Sequence, residues 1–130
     1  DRFDLGVMEE FVAQYKHLPI YKTTYELLEM VTRKTKDFPR DFKYSLGDKL
    51  RNECIELVIF IYKANTLHQQ RKEHLQQILE RVQVIELMLR LSRDLRLFNV
   101  VAFSEIVLLT DSLARQAQGW ITYTADLRAD

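Results

Sequence analysis

The segment LQQILERVQVIELMLRL, residues 75–91, carries two apolar stripes at helical spacing. The first stripe is Leu75, Ile78, Val82, Ile85 and Leu89; the second is Val84, Leu87 or Met88, Leu91 and Leu95. A bundle helix needs one apolar face of ~100° for its own core, so the second stripe has to be buried elsewhere. A thick core and a subunit interface are both possible, and we favour the interface because short four-helix bundles leave most helices one solvent face. Leu87, Leu91 and Leu95 are the predicted interface residues.

Two further helices are predicted before this segment and one after it. The first predicted helix runs from Pro19, a residue suited to a first turn, to about Lys36. Residues 37–44 are predicted as a charged loop. A second helix should begin at a capping box, Ser45 to Asp48, and end near Asn65.

Residues 75–91 belong to the third predicted helix, residues 70–97. Asn99 is a natural N-cap for the fourth helix, and Gly119 is its predicted C-terminal stop. The inward residues of the first helix are predicted to be Tyr21, Tyr25, Leu28 and Met30 or Val31; those of the fourth are Phe103, Ile106, Thr110, Leu113, Ala117 and Trp120.

The fold class that follows is all-α, an antiparallel up-and-down four-helix bundle with a short extra N-terminal helix. Residues 18–121 form the predicted bundle. Residues 1–17 are an N-terminal extension with a short amphipathic helix, and residues 122–130 are an acidic C-terminal tail. Only three glycines and two prolines occur in 130 residues, which disfavours a many-stranded sheet.

Several classes of chemistry lack the residues they need. The three histidines have no metal-ligand spacing, the paired Glu-x-x-His motifs of di-iron bundles are missing, and no glycine-rich phosphate loop occurs. Cys54, the single cysteine, lies on an apolar seam and is interpreted as a buried hydrophobe. Glu29 and Glu86 each precede a basic residue by four positions, as expected of surface pairs with Arg33 and Arg90. We therefore predict no enzyme activity, no metal and no cofactor.

The compartment is predicted to be cytoplasmic, without a membrane partner. The longest apolar run, Leu57 to Tyr62, is too short to span a bilayer, and one cysteine cannot form an internal disulfide.

Two sets of basic residues are the remaining functional signal in a chain of zero formal net charge. One set surrounds the predicted loop, and its candidate binding residues are Arg40, Lys43, Lys49 and Arg51. The other, Arg90 and Arg93, belongs to a polar stripe enclosed by the two apolar stripes, so neighbouring subunits would leave these arginines lining a groove or channel. A plain solvated face is the alternative. No interleaved aromatic residues are recognised in either set, so base stacking is not predicted.

Several short segments resemble the Avd proteins, the accessory variability determinants of diversity-generating retroelements. These segments are LPIY at 18–21, FP at 38–39, YSLGDKLRN at 44–52, LMLRL at 87–91 and GWI at 119–121. The superfamily also contains the proteins encoded by intervening sequences of bacterial large-subunit ribosomal RNA. The resemblance covers about residues 18–121.

The resemblance implies a non-catalytic homopentamer with a basic channel. Such a protein binds the retroelement's reverse transcriptase and its template RNA, or RNA/DNA, and supports mutagenic cDNA synthesis and retrohoming. Arg90 lies in a matched segment and is carried over as a candidate contact. The alternative is a structural, oligomeric bundle of the intervening-sequence type that binds no nucleic acid.

Overall fold

A computed structural model describes residues 18–129, and four long helices account for most of them. They are α1 (Pro19–Thr35), α2 (Asp48–Thr66), α3 (Arg71–Asp94) and α4 (Val100–Ala129). A single helical turn (Arg40–Phe42) and a π-helical segment (Lys43–Gly47) precede α2, and a 3₁₀ turn (His68–Gln70) precedes α3. The predicted helix within residues 1–17 lies outside the described residues.

Side-chain contacts show that successive helices run antiparallel. Glu53 of α2 pairs with Arg81 of α3 at 3.0 Å, and Phe60, further along α2, lies against His74, which comes earlier in α3. The same reversal relates α3 to α4, because Glu86 accepts a hydrogen bond from Thr110 whereas Arg93 lies over Phe103. The helix α1 completes the arrangement by packing against both α2 and α4. The predicted all-α, up-and-down four-helix bundle is confirmed.

The core lies along the central axis and receives one apolar stripe from every helix. The first stripe of the 75–91 segment is buried along its whole length, and the predicted seam of α4 is buried from Ile106 to Ala117. The largest fully buried side chains are Leu27, Leu50, Leu57, Ile61, Leu75, Ile78, Ile85, Leu89, Ile106 and Leu113. Complete burial of a leucine or isoleucine stabilises the fold by about 1.5–3 kcal/mol, so these stripes decide how the helices face one another.

The buried face of α1 differs from the prediction. Ile20, Thr24, Leu27, Val31 and Thr35 point inward, whereas Tyr25, predicted to be inward, is 54% exposed. Threonine can take a core position here because the Thr24 hydroxyl donates a hydrogen bond to the Ile20 carbonyl within the helix, at 2.8 Å. A prediction based on strongly apolar residues alone therefore assigned Tyr25 to the inward face and omitted Thr24 and Thr35.

Helix boundaries were predicted with mixed success. Asn99 is confirmed as the N-cap of α4, since its Oδ1 accepts a hydrogen bond from the Ala102 amide at 2.8 Å. Gly119 is not a stop, because α4 continues through it to Ala129; the predicted tail is helical from residue 122 to 129. Glycine costs a helix only ~1 kcal/mol, and a helix of this length tolerates it.

The predicted loop and capping box before α2 were also wrong. Only residues 36–39 separate α1 from the next helical turn. Ser45 lies inside the π-helical segment, where its hydroxyl donates back to the Asp41 carbonyl at 2.8 Å instead of capping α2. Within the described part of the chain, none of the helices combines the length and apolarity that crossing a membrane requires.

Candidate nucleic-acid and partner interface

The fold brings the two predicted basic sets to the same end of the bundle. Because the helices alternate in direction, the end of α1 and the start of α2 lie beside the end of α3 and the start of α4. Phe38 and Phe98 join the two connections edge-to-face, with ring centroids 5.1 Å apart. Residues at least 39 positions apart in sequence thus form one surface at this end.

This surface, called the basic end below, concentrates the positive charge of the protein. Residues 33–51 and 90–99 contain ten basic and four acidic side chains, a formal charge of +6, so the rest of the zero-charge chain carries −6. The ten basic residues are Arg33, Lys34, Lys36, Arg40, Lys43, Lys49, Arg51, Arg90, Arg93 and Arg96. An uneven distribution of this kind gives one end of the molecule an excess of positive charge although the total charge is zero.

Arg51 holds the basic end together. Its guanidinium group donates to the Thr35 hydroxyl at 2.5 Å and to the Lys43 carbonyl at 3.5 Å, and it pairs with Asp48. Only 24% of its side chain is exposed. Its predicted part in binding stays a prediction, and its visible contacts are structural.

A shallow cleft of about 300 Å³ is lined by Phe38, Arg40, Lys43 and Tyr44. Arg40 and Lys49 are exposed, and Lys43 is half-buried. The Lys43 ammonium lies 5.7 Å from the centroid of the Tyr44 ring, and Tyr44 is 66% exposed. The expectation that no aromatic residue accompanies this basic set was therefore wrong. The signal was present in the sequence as Phe38, Phe42 and Tyr44 alternating with charged residues.

Arg90 and Arg93 differ in how freely they can reach a ligand. Arg90 is exposed, and the predicted pair with Glu86 does not form, because Glu86 turns to Thr110 instead. The Arg93 guanidinium lies 4.9 Å from the centroid of the Phe103 ring and also pairs with exposed Asp94 at 3.1 Å. An exposed pair of this kind contributes little, so Arg93 keeps most of its capacity for another anion.

Arg96 was missed by the sequence argument. It has a φ of 61°, and among the described residues it is the one non-glycine residue with positive φ. Its amide donates to the Arg93 carbonyl at 2.9 Å, and the Leu97 amide donates to the Ser92 carbonyl at 2.8 Å, which is the Schellman pattern that ends a helix. Glycine is preferred at this position, so a strained arginine here adds positive charge to the basic end at some cost in stability.

The second apolar stripe, on α3 and the residue that follows it, is exposed except for half-buried Val84 and the alternative member Met88. Leu87, Leu91 and Leu95 are 67%, 48% and 42% exposed, whereas Met88 points into the core. The predicted interface residues thus belong to the outer of the two stripes, adjacent to the basic end. Other helices also expose apolar side chains, among them Ile55, Ile59, Val101 and Leu108.

The titratable groups of the bundle interior do not assemble a reactive site. Burial, together with the nearby Glu53 carboxylate, raises the pKa of the Cys54 thiol to about 12, so the thiol stays protonated at neutral pH. Among residues 18–129, histidine, cysteine and carboxylate side chains nowhere cluster as they would around a metal ion.

Comparison with known proteins gives one assignment. The sequence model of a protein family described as bAvd-like matches residues 18–124. The match spans all four helices except the last residues of α4. No curated protein matches the chain.

Proposed function

Since the chain belongs to the bAvd-like family, we propose that it is a non-catalytic accessory protein of a diversity-generating retroelement. In this role it binds the element's reverse transcriptase and template RNA in the cytoplasm and supports mutagenic cDNA synthesis and retrohoming. The observation that carries the proposal beyond family membership is the basic end, where a formal charge of +6 is gathered in a neutral chain.

Electrostatics explains why the basic end suits RNA. Binding of lysine and arginine to phosphates releases condensed counterions, and the gain grows with the number of phosphates neutralised. Arg40, Lys49 and Arg90 are exposed and point to no acidic partner among the described residues. Among the described residues, the charge outside the basic end is also acidic on balance, which favours the approach of a polyanion to this end.

Self-association into a closed ring, a homopentamer, is the second part of the proposal. A cyclic assembly needs two different surfaces on each subunit, and the stripe of Leu87, Leu91 and Leu95 is a candidate for one of them. Because the stripe adjoins the basic end, closing a ring through it would bring the arginines of neighbouring subunits near one another. Each subunit would then add its charge to a shared surface.

Reconstituted cDNA synthesis tests the function as a whole. The purified reverse transcriptase of the same retroelement is incubated with its template RNA, with and without this protein, and cDNA products are resolved on a denaturing gel. We expect this protein to increase cDNA yield strongly and to co-purify with the reverse transcriptase. Equal yield without it, together with no co-purification, would contradict the proposal.

A variant distinguishes a specific effect from simple protein addition. Arg90→Glu with Arg93→Glu should reduce the stimulation, whereas Arg115→Glu should not. Arg115 is an exposed arginine on α4 away from the basic end, so Arg115→Glu makes the same kind of charge reversal at one site without touching the proposed surface.

A further inference from the structure

The cleft at Phe38, Arg40, Lys43 and Tyr44 combines two features that a purely electrostatic surface does not need. One is an aromatic ring, Tyr44, that is 66% exposed although it lies on a helical segment. The other is a pair of basic side chains, Arg40 and Lys43, that line the same cleft, with the Lys43 ammonium 5.7 Å from the centroid of the Tyr44 ring. A large exposed ring has a hydrophobic cost, and stacking against a flat partner relieves it.

Three contacts fix the backbone around the cleft. Phe38 is buried and packs edge-to-face against Phe98, and the Ser45 hydroxyl donates a hydrogen bond to the Asp41 carbonyl. Arg51 holds the carbonyl of Lys43 itself. Tyr44 lies in a π-helical segment, a rare geometry that occurs frequently at functional sites. A rigid support of this kind lowers the entropy lost when a ligand binds.

We infer that Tyr44 is a stacking platform for one base of a single-stranded nucleic acid, with Arg40 and Lys43 binding the phosphates on either side. The inference rests on the proposed function and adds a stacking contact with a base to the phosphate contacts. Stacking does not depend on base identity, because every base has a π-face. The site therefore favours unpaired over paired strands without reading a sequence.

A duplex fits this cleft poorly. Its bases already stack on one another, so no base is free to cover Tyr44, and only the phosphates can meet Arg40 and Lys43. The contribution of Tyr44 should consequently disappear when the same strand is hybridised to its complement.

Fluorescence anisotropy with labelled oligonucleotides tests the inference on the full chain. The probes are a single-stranded oligoadenylate of about 12 nucleotides, an abasic strand of the same length and a duplex. Tyr44→Ala should weaken binding of the oligoadenylate by about tenfold and leave binding of the abasic strand and duplex nearly unchanged. Tyr44→Phe, which keeps the ring, should bind like the wild type. Tyr123→Ala, which removes a similarly exposed tyrosine in the C-terminal part of α4, should also bind like the wild type.

The salt dependence separates stacking from charge. Tyr44→Ala should leave the slope of log affinity against log salt unchanged, whereas Arg40→Ala with Lys43→Ala should lower it by about two. If Tyr44→Ala binds oligoadenylate as tightly as the wild type while Arg90→Glu with Arg93→Glu abolishes binding, the stacking inference fails and the proposed function stands. If none of the probes binds the wild type, both fail. Circular dichroism on each variant confirms that the helices are intact.

Discussion

Arg51 connects three backbone segments of the basic end through one guanidinium group, which reaches the end of α1, the π-helical segment and the first turn of α2. Removing it leaves the Thr35 hydroxyl, which lies on the buried face of α1, without this donor. A buried polar group left without a hydrogen-bond partner lowers the free energy of unfolding by more than an intact hydrogen bond contributes to it.

We expect Arg51→Ala to lower the free energy of unfolding by about 2 kcal/mol, measured by urea denaturation. The matched control is Arg33→Ala, which breaks an ion pair with Glu29 whose side chains are 73% and 49% exposed. That change should cost no more than about 0.5 kcal/mol. Equal losses in the free energy of unfolding for the two variants would contradict the structural role of Arg51.

Arg96 gives a case in which stability and function should separate. Glycine adopts its left-handed backbone without the steric penalty that a Cβ atom brings, so Arg96→Gly should raise the free energy of unfolding by about 1 kcal/mol. The same variant should bind RNA more weakly, because the basic end loses one charge. A variant that is less stable, or one that binds RNA more tightly, would contradict this account of the strained residue.

Cys54 makes the stability of the bundle depend on pH in the alkaline range. Its pKa rises from 9.0 to about 12 on burial, so above pH 9 the unfolded chain releases the thiol proton while the native protein retains it. The contribution of Cys54 to the free energy of unfolding is therefore fully present below about pH 9 and is lost as the pH rises towards 12. Urea denaturation at pH 8 and pH 10.5 should show a larger loss for the wild type than for Cys54→Ala, which removes this titration and leaves all others. Equal losses would contradict the burial of a protonated thiol.

At the scale of the elements, the apolar pattern of α3 could be predicted because burial of leucine and isoleucine is the largest local term in its packing. What the pattern could not show is which stripe faces the core, since both have the same spacing. The structure assigns the stripe that contains Leu89 to the core and the stripe that contains Leu87 to the surface.

Charge substitution distinguishes the two stripes experimentally. Leu87→Asp should preserve helicity and reduce the molar mass measured by light scattering after size exclusion, because it places a carboxylate in the proposed subunit interface. Leu89→Asp should unfold the chain, since Leu89 is fully buried. A wild-type protein that is monomeric at micromolar concentration, or a Leu87→Asp protein with unchanged mass, would contradict the interface.

The ends of the helices were less predictable than their faces. Asn99 caps α4 as expected, because the residues just before it are not helical and its side chain accepts a hydrogen bond from the Ala102 amide. Ser45 follows a sequence pattern just as typical of a cap, yet the preceding turn is already helical, so its hydroxyl finds a backbone carbonyl instead. A capping motif predicts a helix start only where the residues before it are not helical.

For the whole molecule, the antiparallel topology produces the candidate site. The basic residues around the first connection and those at the end of α3 could be recognised separately in the sequence. Their convergence depends on the alternating direction of the helices, which the contacts between Phe38 and Phe98 and between Arg93 and Phe103 make visible. Zero net charge concealed this polarity, because a sum over the chain contains no information about position.

RNA binding measured as a function of salt tests the central claim, that this protein works through its basic end, most directly. Anisotropy of labelled template RNA is recorded for the wild type, for Arg90→Glu with Arg93→Glu, and for Arg115→Glu. We predict that wild-type affinity falls steeply between about 50 and 200 mM salt, and that the double variant binds at least about tenfold more weakly with a shallower salt slope. Arg115→Glu should match the wild type. If the double variant binds as tightly as the wild type with its helicity intact, or if the wild type binds no RNA, the basic end is an ordinary solvated face and the protein is a structural bundle.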